Sequence, residues 1–263
     1  MKIVGRTVSD TLWSILREVE SRCGEIQFHK QDPQGNYGSY QLKDGQHHIW
    51  VRTDSNLTSP QFEHIVAHEM MHAVQVEQNW PTAKAAQDYG DGSCEAKLVA
   101  RGLQALGDEI ISLGFARQLA RELHSLVLDL DVEDRLKKLE RSCRIVFDRT
   151  YQMEGRYQNL KRRLEPGSSL SPGSFNLEYE RLALSYAQEM SSTSTRKASL
   201  QKLYLKHAPS VAEKGKELLR ILGEKGWGNP EQALTSMIAI RDSLGLAKTC
   251  IIVNPRSESG SWG

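Results

Sequence analysis

The stretch from Phe62 to Val76 constrains this chain most. Ile65, Val66, Ala67, Met70, Met71, Ala73, Val74 and Val76 make it apolar on most faces of a helix, yet it carries His64, His68, Glu69 and His72. A helix that is hydrophobic nearly all round belongs in a core. Polar groups buried in it are costly unless they find partners. His68-Glu69-Met70-Met71-His72 suggests one partner for several of them. Residues four apart lie one above the other on a helix, so both imidazoles can reach the same metal ion. Glu69 stands one position after the first ligand, within reach of a water that such an ion would activate. Two neutral nitrogen ligands, a Lewis-acidic zinc, a water and a carboxylate base are the parts of a zinc hydrolase. The bland alternative is a core helix whose histidines hydrogen-bond to carbonyls.

The boundaries of this helix are written locally. Ser59-Pro60 offers a hydroxyl cap and a proline in the first turn, where its missing N–H costs nothing. Thr58 with Gln61 offers a capping box one residue earlier. Asn79-Trp80-Pro81 should end the helix, since proline stops it. His64 also pairs with His68 at helical spacing, but it stands about 12 Å along the axis from His72, too far to share an ion. It reads as a group behind the ligands or in the cleft.

A catalytic zinc takes three protein ligands and leaves one position for water. No histidine occurs between His72 and His124, so a nearby third ligand must be a carboxylate or Cys94. The turn-rich segment Asp88 to Ser93 is expected to lead into a second helix opening at Cys94, with Glu95 in its first turn. Here the chain resembles the gluzincin metallopeptidases, in which a glutamate on a downstream helix completes the site. Glu95-Ala96-Lys97-Leu98-Val99-Ala100 is similar to the glutamate-plus-alanine helix of ImmA/IrrE-like peptidases, and the resemblance spans roughly residues 45 to 105. It implies zinc held by His68, His72 and Glu95, with Glu69 as general base. Asp91, followed by Gly92, is the rival, at a spacing similar to the glutamate-glycine ligand of certain aminopeptidases. Cys94 reads as a small packing residue.

Periodicity gives the rest of the architecture. Ser9 to Ser21 reads as a helix with Leu12, Ile15, Leu16 and Val19 on one side. Ile26 to Phe28, Tyr40 to Leu42 and His48 to Arg52 read as short strands, with Asp44-Gly45 as the turn of a hairpin between the last two. His47-His48 reads as polar strand surface. The resemblance implies that His48-Ile49-Trp50-Val51 lies along the cleft and pairs with extended substrate, although an ordinary sheet strand fits equally.

After Cys94 the pattern turns helical. Leu103, Leu106, Ile110 and Leu113 recur at 3-4-3 spacing, as do Leu136, Leu139, Cys143 and Val146. Further helices are expected around Tyr179, Leu182 and Tyr186, over Val211 to Leu222 and over Glu231 to Leu244, with a last strand at Thr249 to Val253. Residues 165–174 read as a linker and 191–195 as a loop. The fold class is therefore α+β, a small N-terminal sheet with an active-site helix and then a mainly helical C-terminal half. Residues 1–130 form the expected peptidase domain and 131–263 a helical domain for substrate or partner recognition. Glu180 and Arg181 are its expected surface groups.

Net charge is +1 over 263 residues, which argues against broad electrostatic binding to nucleic acid or anionic membrane. The basic stretch 133–163 has acids interleaved and reads as a solvated helical face. Four scattered cysteines and an N-terminus without a long apolar core point to a cytoplasmic protein. The expected activity is zinc-dependent endopeptidase action on a protein or peptide, and the resemblance implies transcriptional regulators among its targets. The competing expectation is a regulatory protein-binding module on a peptidase scaffold. Tyr89, Tyr179, His124 and His207 are candidates to stabilise an oxyanion, and nothing in the sequence selects among them.

Overall fold

In the computed structural model, α1 (Asp10–Cys23) starts where Ser9, extended at φ −64°, accepts a hydrogen bond from the Leu12 amide through its side chain. It ends at Gly24, whose φ of 86° suits glycine. Leu12, Ile15, Leu16 and Val19 are buried, as the spacing of apolar positions requires. The structure describes residues 1–31, 36–54, 56–85, 109–151, 175–191, 197–247 and 249–253.

The fold is α+β, with small sheets toward the N-terminus and helices dominating afterwards. Lys2–Ile3 (β1) and Arg6–Thr7 (β2) form a short antiparallel pair. Ile26–Lys30 (β3), Gly38–Lys43 (β4) and Gln46–Val51 (β5) form a three-stranded sheet in the order β3-β5-β4. β5 runs parallel to β3 and antiparallel to β4. Asp44 and Gly45 both adopt positive φ, 51° and 74°, as a two-residue hairpin turn with the strands' own twist demands.

This register corrects two expectations. β5 is the central strand, hydrogen-bonded on both sides, so His48 to Val51 has no free edge to offer an extended substrate. His47 is buried rather than surface, because its position in the alternation puts it on the inner face beside Ile49 and Val51.

α2 (Ser59–Glu77) carries the HExxH residues. Its start is the capping box: the Gln61 amide donates to Thr58 Oγ1, and the Thr58 amide donates to Gln61 Oε1. It ends as Asn79 turns to a φ of 58° and the Trp80 amide returns to the Gln75 carbonyl. Phe62, Ile65, Val66, Ala67, Met70 and Ala73 are essentially inaccessible to solvent. They join Leu12, Leu16, Ile49, Val51, Val132, Leu136 and Phe147 in one core.

The helix α3 (Glu109–Cys143) is a single run of 35 residues. It ends at Cys143, and Arg144 follows with a φ of 53°. The expected continuation of its apolar row to Val146 therefore fails; Val146 lies beyond the helix and is exposed. The second helix expected from Cys94, the apolar positions 103 and 106 and the linker 165–174 lie outside the described residues.

The described chain divides into two compact units, 1–80 with 132–151 and 81–131 with 175–253, so α3 contributes to both. In the second unit, Phe175–Ser191 (α4), Lys197–His207 (α5), Pro209–Lys225 (α6) and Pro230–Ser243 (α7) pack with Thr82–Ala85 (β6) and Cys250–Val253 (β7). Arg181 is buried here. Its Nε donates to Glu122 at 3.0 Å, and Ser185 donates to the same carboxylate. It is a core ion pair, which corrects its reading as a surface group.

Candidate metal and acid-base site

The first unit contains the histidine-bearing face of α2. His68 and His72 stand one turn apart with ring centroids 5.0 Å from each other and planes crossed at 76°. Continuous α-helix over both residues fixes that approach, and the capping box fixes where the helix begins. Side chains on α2 and α3 set the orientation of the rings.

His72 Nδ1 lies 2.9 Å from Gln75 Oε1. An amide oxygen only accepts, so Nδ1 carries the proton and Nε2 keeps its lone pair. Packing around the ring holds the His72 pKa down, to about 3, with the neighbouring His68 adding to the effect. His72 is thus neutral at ordinary pH, the state in which imidazole binds a metal. His68 Nδ1 lies 3.4 Å from Glu133 Oε1, within ion-pair range but without hydrogen-bond geometry.

Glu133, on α3, is the centre of a knot that the sequence reading missed. Its Oε1 lies 3.1 Å from His64 Nε2, and its Oε2 accepts from Arg149 Nε at 2.7 Å. Arg149 also holds Glu140 through both terminal nitrogens, at 2.9 and 3.2 Å. Burial opposes ionisation of Glu133, but its contacts with His64 and His68 outweigh burial and hold the carboxyl well below the usual carboxylate range. His64, with no accessible surface, is kept neutral chiefly by desolvation. A consistent proton assignment has Tyr151 donating its hydroxyl to His64 Nδ1 at 2.9 Å while His64 Nε2–H donates to Glu133. The 133–149 portion of the basic stretch thus turns partly inward, where sequence pattern suggested a solvated face.

Glu69 is 8% exposed and lies against the first residue of β4. A Cβ at Gly38 would stand 2.6 Å from Glu69 Oε1 and 2.8 Å from Ile65 Cγ2. Glycine is required there by space, not by backbone angle, and its absence of side chain lets β4 pass directly over the carboxylate. On the far side of the sheet-facing surface, Tyr40 Oη lies 2.8 Å from His47 Nδ1, and His47 Nε2 lies 3.5 Å from Glu77. The Tyr40 ring is 6.4 Å from that of His72, and burial, reinforced by Glu77, raises its pKa so that the hydroxyl stays protonated.

Two groups of side chains among the described residues have ligand atoms suited to a metal, and both include His68; His64, His68 and Glu133 form the one lying within this unit. Arg149, in contact with Glu133 Oε2, makes that particular group a poor cation site, since a divalent ion would meet a fixed guanidinium. The donor set, imidazoles one turn apart with carboxylates nearby, is of a kind that could hold a metal ion.

Glu95 and Asp91, the expected third ligands, and Tyr89 lie outside the described residues. Tyr179 hydrogen-bonds to the Ser210 carbonyl within the second unit. Comparison with protein-family models, with curated proteins and with solved structures finds no match.

The contact at Gly38 yields a direct prediction. Gly38→Ala should force Glu69 or the start of β4 to move, at a cost of about 1–3 kcal/mol typical of overpacking. A thermal midpoint unchanged from wild type, with Glu69 undisturbed in a crystal structure of the variant, would contradict this placement.

Proposed function

We propose that this chain is a zinc-dependent endopeptidase in which His68, His72 and one carboxylate hold the metal and Glu69 is the general base. The observation that carries the reading is the paired presentation of the two imidazoles 5.0 Å apart, with His72 kept neutral and Glu69 next to His68 on the same helix. The resemblance of residues 45–105 to gluzincin and ImmA/IrrE-like peptidases, carried by the same His68, Glu69 and His72 together with Glu95-Ala96, is in line with it. Zinc, when bound, supplies Lewis acidity that polarises a peptide carbonyl and makes a water acidic near neutral pH. Glu69 accepts the proton of the attacking water and passes it to the departing amine. The missing side chain at Gly38 leaves the Glu69 carboxylate the space it occupies. The substrate is a protein or peptide, transcriptional regulators being the class the resemblance favours, and the setting is the cytoplasm. Among the described residues no helix is long and apolar enough to cross a membrane.

Glu95 is the third ligand by resemblance, and Asp91 its rival. Substituting each carboxylate by its amide separates the two, because the true ligand donates a charged oxygen at about 2 Å. Either Glu95→Gln or Asp91→Asn should weaken zinc binding strongly while the other leaves it nearly unchanged. Undiminished zinc affinity in both would remove both carboxylates as ligands.

Glu69→Gln tests the chemistry. The amide is nearly isosteric and cannot take a proton, so zinc content should persist while cleavage of a denatured-protein substrate falls by at least about a hundredfold. Wild-type turnover in this variant would exclude Glu69 as base. A zinc-loaded wild type that binds a protein partner and cuts nothing would favour the regulatory binding module instead.

A further inference from the structure

We propose that His29 and His48 form a site for a divalent transition-metal ion on the outer face of the three-stranded sheet. It is separate from the histidines of α2 and independent of the zinc reading above. Alternation along the strands puts the pair there. Ile26, Ile49 and Val51 belong to the core shared with α2, so Gln27 and His29 on β3 and His48 and Trp50 on β5 face the other way. The register pairs Gln27 with His48 and His29 with Trp50, which makes the two histidines diagonal neighbours on adjacent strands. Both are half-buried.

His29 Nε2 lies 2.9 Å from His48 Nδ1. At that distance one ring offers its N–H and the other its lone pair, so the two facing nitrogens hold one proton between them. Among the described residues neither ring makes a further hydrogen bond. The pair differs in this from His47, whose ring is tied to Tyr40, and from His64, tied to Tyr151 and Glu133. Two imidazole nitrogens bound to one ion at about 2.0–2.1 Å stand about 2.9–3.4 Å apart, depending on the angle at the metal. The strand register therefore already sets the spacing that a chelate needs. On binding, the donating ring takes its proton on its other nitrogen by exchange with solvent, and both rings stay neutral. Each lone pair then turns toward an ion beside the line that joined them.

The donor set selects the ion. Imidazole suits copper(II), nickel and zinc, and the divalent order places copper first. Magnesium and calcium need oxygen ligands, and this pair offers none. Two protein ligands leave the remaining positions to water. The Trp50 ring lies 4.9 Å from that of His29 and 5.7 Å from that of His48, each pair within 26° of parallel. Copper held by the pair thus sits close to an indole and quenches its fluorescence. The plain alternative is a cross-strand hydrogen bond that takes no ligand.

The experiment titrates the full chain with copper(II) chloride near neutral pH, with magnesium chloride as control, following tryptophan fluorescence and electron paramagnetic resonance. Wild type should show a copper spectrum with nitrogen ligands and a quenching phase that Trp50→Phe removes. His29→Gln and His48→Gln should each raise the dissociation constant of that phase by at least about tenfold, since either change leaves one imidazole without its chelate partner. Equal quenching of Trp50 in wild type and both variants would overturn the proposal. Diethyl pyrocarbonate footprinting of wild type, read by mass spectrometry, needs no variant to fold. Copper should protect His29 and His48 from modification. An unchanged rate at both, or protection confined to the histidines of α2, would overturn it too.

Discussion

The burial of imidazoles inside an apolar helix is the constraint on which the first unit depends. α2 is covered on nearly all sides, and His64 has no contact with solvent. A neutral imidazole buried without partners forfeits hydrogen bonds that water would have given it, and a charged one costs far more. The structure meets the demand by bringing a carboxylate from α3 and a hydroxyl from the segment after it onto the same helix face. That segment is tied to the start of α2 as well: Gln61 Nε2 donates to Asp148 and to Thr150, and the Asp148 amide donates to the Pro60 carbonyl. The polar knot thus joins elements separated by some seventy to ninety residues of chain.

Such a network is worth having only when it is complete. Breaking a buried ion pair by removing one partner costs about 3–5 kcal/mol, because the other charge is left desolvated. Glu133 accepts hydrogen bonds from the His64 imidazole and the Arg149 guanidinium, so each of its oxygens has a defined partner. Specified surroundings are what a metal ligand needs, since ring planes must be set before the ion arrives. Glu63 shows the same economy at the other end of α2: it accepts from both the amide and the hydroxyl of Ser9, holding the cap of α1 against the helix that carries the histidines.

Local chemistry was legible in the sequence, and long-range pairing was not. The Thr58–Gln61 box, the Asp44-Gly45 turn and the Leu12–Val19 stripe each involve residues a few positions apart, and each stands as its residue types imply. The central place of β5 was hidden because strand order is decided by which edges meet, and β3 reaches β5 across the intervening hairpin. His47 was misread because two adjacent histidines look like surface, although strand alternation sends one of any adjacent pair inward. Glu133 and Tyr151 carried no signal at all beyond their helical neighbourhood. A buried histidine, His64, on an apolar helix was a demand for a polar partner, and nothing in a linear pattern says which of many acids answers it. The approach of His68 and His72 one turn apart was legible from spacing alone, because one helix supplies both.

X-ray absorption at the zinc edge on the purified, zinc-loaded chain tests the central claim most directly. The account predicts about one zinc per chain, with two imidazole nitrogens at about 2.0–2.1 Å, oxygen donors and no sulfur. It further predicts loss of that signal in the His68→Ala, His72→Ala double variant. Substoichiometric zinc in wild type, a sulfur-rich shell, or an unchanged spectrum in the double variant would contradict the account.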